Sequence, residues 1–297
     1  MGLAWGASPS LSFSEIIILM VLSFTIINLS SAIGAQANTI SDHELDSRDY
    51  RKKELVQALD SFGLNRLKKV LVFELVITLA LVAVFMLAKA KPGLLLMWAV
   101  GISLGCLYSF PPLRIKSRSW LAPVTLILVL AVFPVLFAYF TFSTEFNNVF
   151  LLALAGLAST VCGVIIPTEI RDYFGDKAMG IETMTVHLGL VKASLLSITL
   201  LSLGGVLIGT AFLITFAYGK YPLLSLLVFA MAVTDVIVLR KLKKLYVLSK
   251  EYENSSSQDS IAEEIVSLSA NNPKWIMLVT QTYSLISIVM LVSKFLH

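Results

Sequence analysis

Two groups of oxygen-bearing side chains in this sequence have the spacing of metal-binding sites. In the first, Asn38, Asp42 and Asp46 stand four residues apart, so on a helix they share one face. Such oxygens suit Mg²⁺, which typically takes one or two carboxylates together with substrate phosphate oxygens. Charges at a helix end cost little, however, so this group alone predicts either a magnesium site or the solvated start of a loop.

The second group strengthens the metal interpretation. Glu169, Asp172 and Asp176 have the spacing i, i+3, i+7, which again defines one face of a helix. Gly175 and Gly180 predict that this helix ends nearby. Carboxylates at membrane helices are uncommon and usually functional, so two acidic faces on separate helices can converge and hold metal ions between them.

A cationic loop lies between the two acidic groups in the sequence. In YSFPPLRIKSR, residues 108–118, the Pro111-Pro112 pair ends a helix, and Arg114, Lys116 and Arg118 follow. On its own this is an ordinary positively charged loop. Beside two acidic groups it completes a site for a metal-bound polyanion, with lysine acting as a point charge on phosphate.

The elements that carry these residues are predicted to be membrane helices. Hydrophobic residues make up 57% of the 297 residues and charged residues only 14%. About eight stretches approach the roughly 20 apolar residues that cross a bilayer, and no strand-like alternation recurs in them. We therefore expect an all-α polytopic membrane helix bundle, with spans at 12–37, 70–90, 93–110, 120–142, 147–168, 192–217, 221–239 and 275–293.

Basic residues are distributed unevenly between the connections. Of the 23 Lys and Arg, 19 lie in segments 42–69, 111–118, 171–192 and 240–274. The positive-inside rule places these segments on the cytoplasmic side, so we predict a multi-pass protein of the cell membrane whose acidic groups face the cytoplasm. The net charge of +4 follows from this orientation and gives no reason to expect nucleic-acid binding.

These residues together resemble the UbiA superfamily of intramembrane prenyltransferases. The family's first motif, N-D-x-x-D-x-x-x-D, is matched by Asn38, Asp42 and Asp46, while Thr39 departs from it. YSFPPLRIK resembles the family's Tyr-to-Lys loop after its fourth helix. The second motif is D-x-x-D-x-x-x-D followed by G-x-x-T and a later L-G, and the matching positions are Glu169, Asp172, Asp176, Gly180, Thr183, Leu188 and Gly189.

The resemblance implies one domain over residues 1–297, with helices around a central cavity open to the cytoplasmic side. The family has nine such helices, so we expect its first helix to be missing here, through a truncated start, except for the tail GLAWGAS. Two Mg²⁺ ions are implied between the acidic motifs and an isoprenyl diphosphate. By this resemblance Asn38, Asp42 and Asp46 bind one ion, Asp172 and Asp176 bind the other, and Glu169 is accessory.

The implied reaction is transfer of an isoprenyl chain to a lipophilic acceptor through an allylic carbocation. Asp42, Asp46, Asp172, Asp176 and Lys116 are the implied catalytic residues, and Lys116, Arg114 and Lys53 the implied diphosphate-binding residues. A dry cavity suits this chemistry because water would quench the carbocation. Metal ions and cations such as Lys116 would stabilise the leaving diphosphate.

The acceptor is left open by the sequence. Many branches of the family follow the first motif with Arg-Pro, and here the chain reads SRDYRKKELVQALDSFG, which disfavours the haem, chlorophyll and ribosyl branches. Quinone-precursor, ether-lipid and carotenoid acceptors remain, with a quinone or lipid acceptor preferred. Other hypotheses are a cation transporter, whose carboxylates should lie near the bilayer midplane, and an inactive scaffold with degraded motifs.

Two further expectations concern the last third of the chain. Asp235 falls inside the seventh span, and we expect it to pair with Arg240 or to extend to the membrane interface. The polar stretch KEYENSSSQDSIAEE, residues 250–264, is predicted to be a solvated linker between helices.

Overall fold

The computed structural model describes residues 1–7, 12–47, 53–89, 91–218, 222–255 and 258–294. Within these ranges the chain is helical, and its extended pairing is limited to one isolated bridge between Ser119 and Thr183. The all-α prediction is thus confirmed. The helices are α1 (Gly2–Gly6), α2 (Phe13–Asp46), α3 (Lys53–Phe62), α4 (Leu64–Lys89), α5 (Pro92–Ser109), α6 (Leu121–Ile127), α7 (Phe133–Phe142), α8 (Asn148–Ala178), α9 (Met184–Leu188), α10 (Leu190–Tyr218), α11 (Leu226–Asn254), α12 (Gln258–Ala270) and α13 (Asn272–Ser293).

Eight helical segments of the described chain are long and apolar enough to cross a membrane, as the sequence predicts. The fourth of these segments is α6 and α7 joined by a π-helical turn, Leu128–Val132. The first acidic group lies on the last three turns of α2 and the second on the last three turns of α8. Both groups therefore belong to membrane helices that continue beyond their apolar spans, and we call this side of the bundle the motif end.

Local sequence signals account for where the helices around the motif end begin and stop. At α8, the side chain of Asn147 accepts hydrogen bonds from the backbone N–H groups of Val149 and Phe150, at 2.8 and 3.3 Å. Pro111-Pro112, joined by a cis peptide bond, follows the end of α5 as predicted. Gly180 has φ +68°, so the turn after α8 uses a conformation that glycine adopts without strain.

The predicted linker at 250–264 is wrong for most of its length. α11 continues to Asn254, and α12 begins at Gln258 and packs against α8 and α11. Ile265 of α12 is fully buried, and Lys244 forms an ion pair with Glu264 at 2.7 Å. The polar composition reflects the exposed face of an amphipathic helix, and packing of its apolar face provides the stability that composition alone does not indicate.

Helices α8 and α10 pack with their backbones almost in contact. A Cβ added at Gly156 would lie 2.8 Å from the backbone nitrogen of Ile208, and one at Gly204 would lie 2.6 Å from that of Thr160. Small residues allow this approach between membrane helices, where dispersion contacts supply much of the association energy. The helix that carries the second acidic group is consequently held firmly against its neighbour.

The expectation for Asp235 is wrong. This residue is only 6% exposed, and the Tyr283 hydroxyl of α13 donates to its carboxylate, with the two oxygens at 2.9 and 3.0 Å. Gly205 of α10 leaves the necessary room, because a Cβ there would lie 2.6 Å from Asp235 Oδ2. Asp235 points into the bundle, where a neutral donor on another helix satisfies it, so it does not extend toward the interface or pair with Arg240.

This contact predicts a stability effect for Tyr283→Phe. The substitution keeps the ring but leaves the buried Asp235 carboxylate without its donor, so we expect the free energy of unfolding to fall by about 1–2 kcal/mol. Thermal unfolding in detergent micelles measures this, with Tyr246→Phe, a partly exposed tyrosine of α11, as the matched control. Equal melting temperatures for the two variants would contradict the role of this hydrogen bond.

Candidate active site

The first acidic group surrounds the side-chain ammonium of Lys116. Lys116 Nζ donates to Asn38 Oδ1 at 3.2 Å, to Ser41 Oγ at 2.9 Å and to Asp42 Oδ1. Ser109, the last residue of α5, also donates to Asn38 Oδ1, at 3.4 Å. Oxygens from successive turns of α2 therefore converge on a single cation, as the shared helical face predicts.

The conformation of the loop after α5 directs the Lys116 side chain toward α2. Arg114 has φ +38°, a left-handed conformation that is uncommon outside glycine and that recurs at functional sites. The 3₁₀ turn Ile115–Ser117 follows, and Ile115 is 9% exposed, which anchors the turn. Lys116 consequently points inward, opposite to the orientation expected for a lysine in a solvated loop.

Two cations share the Asp42 carboxylate. Besides Lys116, the guanidinium of Arg114 lies 3.4 Å from Asp42 Oδ1. The side chains of Lys116 and Asp42 are only 15% and 17% exposed, so this ion pair is largely removed from water. Burial lowers the pKa of Lys116, while the hydrogen bond that Lys116 donates to Asp42 and the negative charge of Asp42 oppose that decrease. The pocket thus combines positive groups with oxygen ligands, which suits binding of a polyanion together with a metal ion.

The second acidic group is arranged differently. Glu169 Oε2 accepts from the backbone N–H and the hydroxyl of Thr185, at 3.2 and 3.0 Å. Asp172 forms an ion pair with Arg171 at 2.9 Å and is 41% exposed. Asp176 lies one turn farther along α8 and, like Asp172, interacts electrostatically with Glu169. Glu169 is therefore the fixed member of the group and Asp172 the accessible one.

A backbone contact links the loop that carries Lys116, after α5, to the loop that follows the second acidic group on α8. Ser119, after the Lys116 turn, forms a parallel bridge with Thr183, whose side chain caps α9 by accepting from Val186 N–H. Tyr108, which precedes the same loop on α5, interacts electrostatically with both Asp42 and Glu169. The structure therefore brings the two acidic groups to the same end of the bundle, each within electrostatic range of Tyr108.

The donor chemistry fits a hard divalent cation, although the carboxylates are not gathered into one cluster. Among the described residues, no three His, Cys, Asp or Glu side chains lie close enough together to hold a metal ion. Three oxygens of α2, from Asn38, Ser41 and Asp42, nevertheless already surround a cation, the Lys116 ammonium. Mg²⁺ commonly takes only one or two carboxylates and completes its shell with water and phosphate oxygens, so this set suits it.

Two of the residues assigned from the sequence lie at the margin of this arrangement. Asp46 is the last residue of α2, and its charge acts on Lys116. Lys53 begins α3, a helix that packs on α2 and α4, and its side chain is exposed. The structure therefore places Asp46 near the Lys116 ammonium and Lys53 on the outer surface.

A cavity of about 350 Å³ extends from the site into the bundle between α2, α5 and the α6–α7 segment. Asn38 and Tyr108 line the end that meets the site, and the remaining wall is mainly apolar. The π-helical turn contributes Val129 and Leu130 to this wall, consistent with the frequent occurrence of such turns at functional sites. The cavity can hold a hydrocarbon chain whose polar head is bound at Lys116.

Four contacts of the site were not identified from the sequence. Ser41 accepts a hydrogen bond from Lys116, Thr185 donates one to Glu169, and Ser109 donates one to Asn38. Hydroxyl residues are too common in membrane helices for these positions to be singled out. Ser41 alone had a usable signal, because it follows Asn38 by three residues and shares its helical face. Tyr108 begins the loop 108–118, yet its proximity to both acidic groups depends on the tertiary fold.

Comparison with known proteins gives one family and several similar structures. The model of the UbiA prenyltransferase family matches residues 1–245. A structure of a UbiA homolog from Archaeoglobus fulgidus bound to GPP and Mg²⁺ superposes with a TM-score of 0.61 at 17% identity, over 94% of this chain and 92% of that one. The apo structure of a UbiA homolog from Aeropyrum pernix K1 gives 0.59 at 15%, over 93% and 94%.

A third similar structure is that of a digeranylgeranylglyceryl phosphate synthase, with a TM-score of 0.62 at 16% identity, over 97% of this chain and 90% of that one. At these identities the structures show a shared fold and no more. No curated protein matches the sequence.

Proposed function

The chain belongs to the UbiA prenyltransferase family and is a multi-pass membrane prenyltransferase, and from this premise we propose that it transfers an isoprenyl chain from a polyprenyl diphosphate to a lipophilic acceptor. The observation that carries the proposal is the convergence of Lys116 and Arg114 on Asp42 at the mouth of the apolar cavity. This arrangement provides positive charge for a diphosphate and, directly beneath it, space for a hydrocarbon.

In the proposed reaction Lys116 and Arg114 bind the diphosphate and stabilise the negative charge that grows on it as the allylic C–O bond breaks. Asn38, Asp42 and Asp46 would hold one divalent cation and Asp172 and Asp176 a second, with Glu169 accessory; when bound, Mg²⁺ supplies Lewis-acid stabilisation of the same leaving group. Tyr108 is within electrostatic range of both acidic groups and lines the cavity, so in the proposed reaction it would lie near the allylic carbon of the donor.

In the proposed reaction the cavity keeps water away from the carbocation. Its wall includes Ile33, Ile102, Val129 and Phe133, and most of its lining residues are apolar. With little water beside the allylic carbon, capture by the acceptor nucleophile is favoured over formation of an alcohol.

Structures of the Archaeoglobus homolog with GPP, DMAPP and Mg²⁺ support a diphosphate donor and a divalent metal ion. For the acceptor we propose a quinone-precursor ring or an ether-lipid type, and the synthase with a similar fold supports the second. We further propose that the motif end faces the cytoplasm in a cell membrane, on the basis of the basic connections. Membership of the prenyltransferase family favours prenyl transfer over the cation-transporter alternative.

The test is transfer by purified protein in lipid nanodiscs, with radiolabelled geranylgeranyl diphosphate offered together with quinone-precursor and glyceryl-ether lipids. We expect label in a lipid-soluble product when Mg²⁺ is present, and at least about a hundredfold less after chelation, since several kcal/mol of stabilisation is lost. Readdition of Mg²⁺ is the control for damage by the chelator. Undiminished transfer in chelator would refute the metal-dependent mechanism.

A further inference from the structure

The apolar cavity has a defined depth, measured from the residues that bind the head group. Asn38 lines its mouth and Ile26 lines its far end, both on α2. At about 1.5 Å per residue the helical distance between them is roughly 18 Å. A ligand anchored by Lys116 therefore meets a wall of fixed position on α2.

Glycines keep the part of this cavity nearest the motif end wide. A Cβ added at Gly34, one turn from Asn38 toward the far end, would meet no atom within 4 Å. On the facing helix α5, a Cβ at Gly105 would lie 3.9 Å from Val129, and one at Gly101 would lie 3.8 Å from Phe133. Side chains larger than hydrogen at these positions would occupy the space that the cavity leaves for a ligand.

The far end of the cavity is closed by aromatic and aliphatic side chains. Trp98 of α5 donates from its indole N–H to Ser30 Oγ of α2 at 3.0 Å, so the indole is held across the space between the two helices. Ser30 in turn donates to the carbonyl of Ile26 at 2.7 Å. Ile26 and Phe137 are 1% and 4% exposed and pack behind this pair.

From these features, and resting on the proposed function, in which the cavity receives the hydrocarbon chain of the donor, we propose that Gly34 and Trp98 determine the longest chain accepted. An extended isoprenyl unit has four main-chain carbon–carbon bonds of about 1.5 Å and covers roughly 4–5 Å. The depth from Asn38 to Ser30, the partner of Trp98, is eight helical residues or roughly 12 Å and holds two to three units, whereas the depth to Ile26 behind Trp98 holds about four. The preferred donor class is accordingly geranyl to farnesyl diphosphate, and Trp98 limits the entry of longer chains.

The test compares kcat/KM for dimethylallyl, geranyl, farnesyl, geranylgeranyl and longer polyprenyl diphosphates. A Cβ at Gly34 meets no atom within 4 Å, so Gly34→Leu places its side chain in the cavity, and we expect at least about a tenfold loss for farnesyl relative to dimethylallyl diphosphate. Trp98→Ala removes the barrier, so the preference should move about tenfold toward longer donors. Leu96→Ala, on α5 beside Trp98 but 68% exposed on the outer surface, is the matched control and should keep the wild-type profile.

The outcomes separate the two proposals. If wild-type protein transfers none of the donors, the proposed function fails. If it transfers them and both variants keep the wild-type donor ranking, only the length inference is overturned. It is also overturned if Gly34→Leu raises the KM of the acceptor alone, or weakens binding of inorganic pyrophosphate, because the cavity would then serve the acceptor or the head group. Opposite shifts of Gly34→Leu and Trp98→Ala support it.

Discussion

Asp42→Ala is expected to reduce prenyl transfer by about a thousandfold or more while leaving the bundle folded. Asp42 is the acceptor shared by Lys116 and Arg114, and it is also one of the oxygens assigned to a divalent cation. The substitution therefore removes an assigned metal ligand and leaves the largely buried Lys116 ammonium and the partly exposed Arg114 guanidinium without their counter-charge. Loss at the chemical step should appear in kcat as well as in kcat/KM.

Folding of the variant is expected to survive because Lys116 retains its contacts with Asn38 and Ser41. The measurement pairs initial transfer rates with thermal unfolding in detergent. Asp172→Ala should behave similarly, and Glu44→Gln, an exposed site on α2 two residues from Asp42, should stay near wild-type activity. Substantial activity in Asp42→Ala at a wild-type melting temperature would refute the assigned role.

Lys116→Met is the second variant with a large expected effect, and it should change two properties in opposite directions. The Lys116 ammonium now fills the space among Asn38, Ser41 and Asp42 that we assign to a divalent cation. Its removal should make Mn²⁺, used as a paramagnetic probe for Mg²⁺, bind more tightly in the absence of substrate. Transfer should fall by about a hundredfold, because a donor to the leaving diphosphate is lost.

The effect of pyrophosphate on the affinity for Mn²⁺ provides the sharper measurement. In wild-type protein, pyrophosphate should strengthen Mn²⁺ binding, because Lys116 can move from the α2 oxygens to the anion as the metal ion takes its place. In Lys116→Met, pyrophosphate should strengthen Mn²⁺ binding by a smaller factor. Two ligands are coupled only when binding of one changes the interaction of the protein with the other, and Lys116 provides that change. Arg118→Met is the control, because Arg118 lies in the same loop but donates to the Leu113 carbonyl. Weaker Mn²⁺ binding in Lys116→Met would contradict the exchange.

Sequence periodicity was sufficient to predict most of the fold. Apolar stretches near the length of a membrane span leave few alternatives to helices, because unpaired backbone groups cannot be exposed to lipid. All eight spans are confirmed, and α2 and α8 continue through their acidic groups. The prediction failed at 250–264, where a polar stretch forms α12, since burial of one face depends on neighbours that local composition does not reveal.

The site was predictable only in its residue types. Helical spacing places Asn38 and Asp42 on one face, but the inward orientation of Lys116 depends on the left-handed Arg114 and on burial of Ile115. Likewise, no spacing rule indicates that Asp235 accepts a hydrogen bond from Tyr283, 48 residues away in the sequence. Pairings of this kind depend on the tertiary arrangement of helices, which a pattern along one helix cannot determine.

The close approach of Gly156 and Gly204 has a consequence for how the enzyme adapts to its substrates. Because the backbones of α8 and α10 are almost in contact, the helix carrying Asp172 and Asp176 is held in one position relative to its neighbour. The open space of the site lies instead beside α2, where a Cβ at Gly34 would meet no atom within 4 Å. Bulkier reactants are therefore accommodated on the α2 side of the site, whereas the α8 side keeps a constant geometry.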